Sequence, residues 1–482
     1  MTWKRAPLGR PRNLDIDPGA LRAAAQAAGS GIYLGVGSGG WAWAGAERST
    51  LVLGPSRSGK TSSLIIPNVL AAPGAVVSTS TKPDVLLTTA PARSAAGWTM
   101  LYDPSGTIDP PPGVTRIGWS PVNAGREWDG AMLTADSMVR AARGTRGPGG
   151  SGDEHWAERA ASLLAPLLHA AALHGEPMAT VLHWVDRHQG AEALAILADR
   201  SDEFGPATDV LAGILSTDSR EQSGIWSTTS GVLGAYRSSA ALASTEPPFL
   251  DAKAFCANAN TLYICATGRH QQLLAPMVVG LLVDVRDAAY RRARDGSASP
   301  PVLAALDEVA NIAPIPDLPA MVSEGAGQGL LTLACLQDLS QARSRWGREA
   351  DAFPSLFGAT VVLGGVADMP TLEALSALGG DHEVATRTVG AVAGADGRVH
   401  PSTSVTGVLR RRLPVDVLAR GLPGAALALD ARNRAGWVTL TPAHRSSPWR
   451  ELVAQGRQPR PRTDQSRPVV EHHRTPTPGR TR

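Results

Sequence analysis

Apolar and polar positions along the chain fall into two textures. In the first, apolar runs of strand length stop at Gly or a polar residue and give way to stretches of helical spacing. Leu51 to Gly54, Ala75 to Ser80, Trp98 to Tyr102, Thr261 to Ala266, Pro301 to Leu306, Gly329 to Leu336 and Ala359 to Gly364 read this way. Their rhythm of strand, helix, strand is that of a parallel α/β sheet. In the second texture, from about Glu127 to Ala243, apolar residues recur at three- and four-residue spacing, as in Ala131 to Ala142, Trp156 to Leu173, Met178 to Asp186 and Ala191 to Ala198. An all-α domain over 127–250 is therefore expected to interrupt an α/β domain built from 31–126 and 251–442. Ile32 to Val36 and Trp41 to Trp43 predict short strands before the first run, and Leu427 to Leu429 and Trp437 to Leu440 predict closing ones. Residues 1–30 read as a basic arm with a short helix, and the Arg/Pro-rich 443–482 as a disordered tail.

Composition narrows the class only modestly. A chain of 482 residues is too long for one simple core, and its 43% hydrophobic content suffices to fill two or three. The formal charge of +3 permits an acidic polymer as partner without requiring one. Cys256, Cys265 and Cys335 form no C-x-x-C pair, which argues against a disulfide framework or a zinc site and for a reducing compartment. His155, His169, His174, His183 and His188 are scattered through the helical stretch and read as surface residues rather than a metal cluster. No signal-peptide core and no long uncharged apolar run occur, so no membrane span is expected.

Candidate chemistry begins at the first strand. Leu53 leads into Gly54-Pro55-Ser56-Arg57-Ser58-Gly59-Lys60-Thr61-Ser62, the Walker A pattern. Its glycines let backbone N–H groups turn onto phosphate oxygens, the helix start adds its positive dipole end, Lys60 reaches the outer phosphates, and the Thr61 hydroxyl ligates Mg²⁺. ATP and Mg²⁺ are the expected cofactors. The chain contains four lysines, Lys4, Lys60, Lys82 and Lys253, and Lys82 stands in Thr81-Lys82-Pro83-Asp84 at the carboxyl end of the next strand, where open α/β sheets hold ligands.

Pro301 to Leu306 ends in Asp307-Glu308, the form of a Walker B site. Asp307 would hold the metal through its water shell and Glu308 would polarise the attacking water. A third strand end delivers Gln337, a side chain that both donates and accepts and so suits a sensor of the terminal phosphate.

The order of these motifs resembles that of the type IV secretion coupling proteins, the hexameric ATPases of conjugative DNA transfer. The likeness rests on Leu53 to Thr61, on Ser80 to Asp84, and above all on Leu306 to Gly380. That block contains Leu306-Asp307-Glu308-Val309-Ala310-Asn311, Ile315-Pro316-Asp317-Leu318, Gln337-Asp338-Leu339-Ser340-Gln341, Arg345-Trp346-Gly347, Leu363-Gly364-Gly365, Thr371 and Leu378-Gly379-Gly380. It implies a RecA-like P-loop NTPase core with an inserted all-α domain. It further implies a homohexamer with ATP between neighbours, binding DNA with little regard to sequence and linking a relaxase-DNA complex to the channel of a type IV secretion system. Lys60, Thr61, Asp307, Glu308 and Gln337 carry over into the roles given above.

Two departures accompany the resemblance. Many members begin with transmembrane helices, and their lack here implies a cytoplasmic protein, attached at most peripherally to the inner face of the plasma membrane. Relatives also carry an arginine just before the sensor strand, whereas Ser323 to Gly329 has none; Arg343 and Arg345 are the nearest substitutes. Three functions follow from this reading: a DNA-pumping ATPase, a nucleotide-gated recruitment platform that pumps nothing, and a chromosome-type translocase. The basic tail, with Arg457, Arg460, Arg462 and Arg467, reads as a solvated linker or as a contact to DNA or anionic lipid.

Overall fold

The computed structural model describes residues 31–143, 151–199, 201–266, 271–296, 300–393, 399–430, 435–455 and 468–470. The expected arm over 1–30, most of the glycine-rich stretch from Gly144 to Gly152 and the tail arginines lie outside the described residues. A twelve-stranded sheet organises the rest. Its first strands are β1 (Tyr33–Gly37), β2 (Gly40–Trp43), β3 (Thr50–Leu53), β4 (Val76–Ser80), β5 (Thr99–Tyr102) and β6 (Val114–Arg116). After the helical insertion come β7 (Phe249–Leu250), β8 (Thr261–Cys265), β9 (Val302–Leu306), β10 (Leu330–Leu336) and β11 (Ala359–Leu363). The remainder are β12 (Asp381–Ala393), β13 (Val399–Arg411), β14 (Ala425–Asp430), β15 (Ala435–Thr439) and β16 (Val469–Val470).

The order across the sheet is β2-β1-β15-β14-β11-β3-β10-β9-β4-β8-β5-β6, and every neighbouring pair from β11 to β6 is parallel. β3, β4, β8, β9, β10 and β11 are buried at every position, which is why they read as unbroken apolar runs rather than alternating ones. β1 and β2 lie at the far antiparallel edge, where β1 pairs β15.

The helical stretch is inserted at a single point. Gly118 donates to the Pro248 carbonyl at 2.8 Å and Trp119 to the Ser244 carbonyl at 2.8 Å, so the departing and returning chains run side by side. Contact there is so close that a Cβ on Gly118 would lie 1.8 Å from the Glu246 oxygen. Between these points the long helices are α3 (Trp128–Arg143) and α4 (Ser151–His174), with shorter ones over Met178–Asp186, Gly190–Ala198, Ser201–Leu215 and Ser219–Val232; α1 (Ile66–Ala71) and α2 (Asp84–Arg93) precede them in the sheet domain. α3 packs on α5 (Gln271–Arg294), the sheet-domain helix that leads into β9. Trp119 fixes this junction. Its ring lies on α5 where a Cβ at Gly280 would be 2.2 Å away, and its indole N–H donates to Asp284 Oδ2 at 2.7 Å.

Three expectations need correction. His169 is not a surface residue: it is buried, its Nδ1 2.6 Å from the Gly125 carbonyl, and burial pulls its pKa down, while His155, His174, His183 and His188 are exposed. The disordered tail expected over 443–482 is ordered in part. Helix α10 (Trp449–Gln455) buries Trp449 and Leu452, the Trp449 ring sits 5.1 Å from that of Tyr33, and β16 pairs antiparallel with β7. Two apolar residues at helical spacing anchor this segment although its neighbourhood is rich in Arg and Pro. Finally, β12 and β13 form a two-stranded ribbon that the sequence did not announce. Val389, Val405 and Leu409 are 68%, 67% and 73% exposed, so no buried face marks these strands in the pattern.

The three cysteines are buried thiols, consistent with the absence of a disulfide framework, and burial pushes Cys256 and Cys265 up to about 12. Burial likewise pushes the Asp284 carboxyl up to about 6, against the Trp119 hydrogen bond that favours its ionised form. A carboxyl raised in the fold favours the native state at low pH, and that contribution is lost as pH rises toward 6. Asp284 is half-buried as a residue, and the effect is on the order of 1–2 kcal/mol. Asp284→Asn, which still accepts from Trp119, is therefore expected to gain in melting temperature over the parent between about pH 4 and 6 and to hold that gain above. A difference that does not change with pH would overturn this account.

Candidate nucleotide site

The site is assembled at the carboxyl edge of the parallel strands. β3 ends at Leu53, opposite Leu336 of β10, and Gly54 N–H donates to the Leu336 carbonyl at 3.1 Å. The chain then turns through Pro55 to Gly59 before a π-helical first turn, Thr61–Ile65, continues into α1. Two positions of this turn have left-handed backbones, Arg57 at φ 64° and Gly59 at φ 97°. Gly54 meets close packing: a Cβ there would lie 2.9 Å from Ser58 Oγ and 3.0 Å from Leu363 Cβ. Gly365 is equally constrained, with φ 96° and a would-be Cβ 2.9 Å from Pro55 Cγ, so β11 supports the loop from the side. Ser58 N–H donates to the Pro55 carbonyl at 3.3 Å, Ser62 Oγ to the Gly59 carbonyl at 3.4 Å, and Ser56 is exposed.

Lys60 is buried, 5% exposed, and its ammonium donates to the carbonyls of Gly54 at 2.5 Å and Pro55 at 3.0 Å. Thr61 Oγ1 donates to Asp307 Oδ2 at 2.5 Å, closing a gap of 246 residues in sequence. Asp307 follows the last residue of β9 and is buried, and the Thr79 hydroxyl of β4 donates to its carbonyl at 3.2 Å. Burial pushes the Asp307 carboxyl up; the Thr61 hydroxyl opposes this, neighbouring Glu308 adds to it, and the Lys60 ammonium opposes it. Glu308 is half-buried with φ 52°, a left-handed conformation uncommon for a residue with a side chain. Its Oε2 accepts from Asn311 Nδ2 at 3.1 Å, and α6 (Val309–Ile312) begins directly after it.

Gln337 directly follows β10, between the strands that carry Lys60 and Asp307. It is half-buried, and its backbone N–H donates to Gln341 Oε1 at 2.9 Å. Asp338 caps α8 (Leu339–Trp346) by accepting from the Gln341 N–H at 3.0 Å. The substitute arginines are placed differently from one another. Arg343 is held by Asp351 at 2.7 Å and Asp368 at 3.4 Å, while Arg345 is half-buried, with burial pulling its pKa down. Reasoning from motifs alone did not single out Asn311 and Thr79 as supports of the acidic pair. The three-residue spacing from Glu308 is the signal for Asn311; Thr79 carries none, because its link to Asp307 exists only through strand order.

The donor set suits a hard divalent cation beside a phosphate chain. It offers a buried carboxylate and a hydroxyl already in contact, and the loop also carries a buried Ser58 Oγ without a hydrogen-bond partner among the described residues. No group of three or more His, Cys, Asp or Glu residues suited to a metal is found among the described residues. A Mg²⁺ site of this kind draws on one or two carboxylates together with substrate phosphates, so it needs no such group.

Fold and site together define a RecA-like P-loop architecture carrying a helical insertion. Residues 301–420, which contain β9 to β13, match the family model described as the TraM recognition site of TraD and TraG. Among solved structures, the bacterial conjugative coupling protein TrwBΔN70 superposes with a TM-score of 0.62 at 19% identity, covering 88% of this chain and 92% of that one. The plasmid coupling protein TrwB in complex with ADP and Mg²⁺ does so with a TM-score of 0.58 at 20% identity, covering 88% and 89%. The complex with a non-hydrolysable ATP analogue gives 0.60 at 19%, with the same coverage. No curated protein matches the chain. Residues 301–420 thus match the TraG/TraD family model, and the fold of the whole is similar to that of a conjugative coupling protein, in line with the resemblance read from the motif order.

Lys60→Ala is expected to abolish saturable ATP binding in a fluorescence or calorimetric titration, because it removes the charge the loop is wrapped around. Unchanged affinity would refute the loop assignment.

Proposed function

We propose that the protein is an ATP-hydrolysing, DNA-translocating coupling protein of a conjugative type IV secretion system. The observation that carries this reading is the 2.5 Å contact between Thr61 and Asp307, which makes one site out of two distant motifs. On this reading the loop from Gly54 to Ser62 wraps the phosphates, Lys60 leaves its resting carbonyls for the outer phosphates, and Thr61 and Asp307 hold Mg²⁺. A Mg²⁺ held by these two side chains would supply neutralisation of phosphate charge. Glu308, aimed by Asn311, accepts a proton from the attacking water, whose oxygen bonds to the terminal phosphorus as the bridging P–O bond breaks toward ADP. Gln337, between the two strands, reports the presence of the terminal phosphate through α8.

Partners follow from the family match and from the solved coupling proteins. DNA would be gripped by its backbone, a relaxase-DNA complex delivered to the secretion channel, and a homohexamer formed. The match over 301–420 makes that segment the place where an accessory protein of the TraM kind would dock. No helix among the described residues is long and apolar enough to cross a membrane; contact of the protein with the inner face of the plasma membrane is part of the proposal.

A second reading, a nucleotide-gated platform without pumping, is favoured by one observation: Arg343, a candidate for completing a neighbour's site, is engaged within its own subunit. The two readings separate in one assay. ATP turnover of the parent is expected to rise with single- or double-stranded DNA, and that stimulation to weaken steeply with added salt. Glu308→Gln should lower turnover about a hundredfold or more while nucleotide binding is retained. Turnover unmoved by either DNA and unchanged by the substitution would end the motor reading.

A further inference from the structure

Lys82 is the remaining lysine at the nucleotide edge of the sheet, and the roles above leave it unused. It lies two residues beyond β4, the strand next to β9 on the side away from the loop. The register pairs Thr79 with Leu306, which places Ser80 level with Asp307, and the Thr79 hydroxyl bond to the Asp307 carbonyl ties the two strand ends together. Beyond them the backbone is fixed again. Lys82 N–H donates to Ser80 Oγ at 3.2 Å, and Pro83 and Asp84 start α2, with Leu87 N–H donating to the Pro83 carbonyl at 2.8 Å. Against this rigid base the Lys82 side chain is exposed, with no hydrogen bond or ion pair among the described residues.

The charge balance of the site gives that ammonium work to do. A triphosphate brought to Asp307 and Glu308 adds several negative charges to two carboxylates, opposed at the loop by Lys60 and one divalent cation. Adjacent strands are about 4.8 Å apart, so the side chain of a lysine rooted at the end of β4 is long enough to reach the space above β9. We propose that Lys82 contacts the terminal phosphate of the nucleoside triphosphate bound in its own subunit, distinguishing triphosphate from diphosphate and stabilising the charge that gathers as the bridging P–O bond breaks. The lysine acts through its charge alone and takes no part in the proton transfer from the water to Glu308. This assignment rests on the nucleotide-site reading above.

The test compares the full-length parent, Lys82→Ala and Lys82→Arg, titrated with ADP and with a non-hydrolysable ATP analogue in the presence of Mg²⁺. Lys82→Ala should keep ADP affinity within about twofold and lose roughly tenfold or more for the analogue, as expected for one charge-assisted phosphate contact. Lys82→Arg should recover most of that loss. Equal change for both nucleotides, or no change for either, overturns the assignment while leaving the nucleotide site intact. A parent that binds neither nucleotide overturns both. The exposed position makes a folding defect an unlikely source of a selective loss, and the ADP arm reads out folding directly.

Discussion

A hydroxyl and a carboxylate separated by 246 residues of chain meet at 2.5 Å, and much of the architecture serves that meeting. Thr61 is presented by the turn that follows β3, Asp307 by the end of β9, and β10 lies between them with its own end against Gly54. Parallel pairing is what brings all these ends to one edge, since antiparallel neighbours would send alternate ends to the opposite side of the molecule. Burial of Asp307 raises the cost of its charge, and the contact with Thr61 offsets part of that cost. Removal of either partner would therefore disturb both the strand end and the loop, not merely delete a bond.

The strand that carries the acidic pair is also mechanically connected to the helical insertion. α5 supports α3 along its length and receives the Trp119 ring and indole N–H, and α6, which begins directly after the acidic pair, packs on it as well. A displacement at the end of β9 thus has a short, packed route to the insertion, through α6 and the α5 helix it rests on. Glu308 sits at the near end of that route with its backbone in the left-handed region, a conformation that the following helix start and Asn311 hold in place.

How much of this was legible in the sequence depends on how each residue earns its place. The central strands were readable because both faces are buried, so apolar runs from Leu51 to Leu53 or Val302 to Leu306 contain no polar position to confuse them. The loop and acidic pair were readable because phosphate and metal chemistry restrict residue type at fixed spacing. Thr79 was not, because its contact with Asp307 depends on β4 lying beside β9, which no local pattern states. The ribbon of β12 and β13 escaped for a different reason: with neither face covered, its Thr, Ser and Val residues follow cross-strand pairing instead of burial. Trp449 and Leu452 were hidden by the composition around them, in which Arg and Pro outweigh two well-placed apolar residues.

Where the polypeptide departs at Gly118 and comes back at Pro248, its two lengths are joined by hydrogen bonds and the sheet is continuous beneath them. For the strand order, the intervening residues are thus a detour that begins and ends at one address. Such a layout lets the detour lengthen, shorten or diversify without altering which strands are neighbours. The limit on that freedom is the tryptophan at 119, whose seat on α5 belongs to the sheet rather than to the detour.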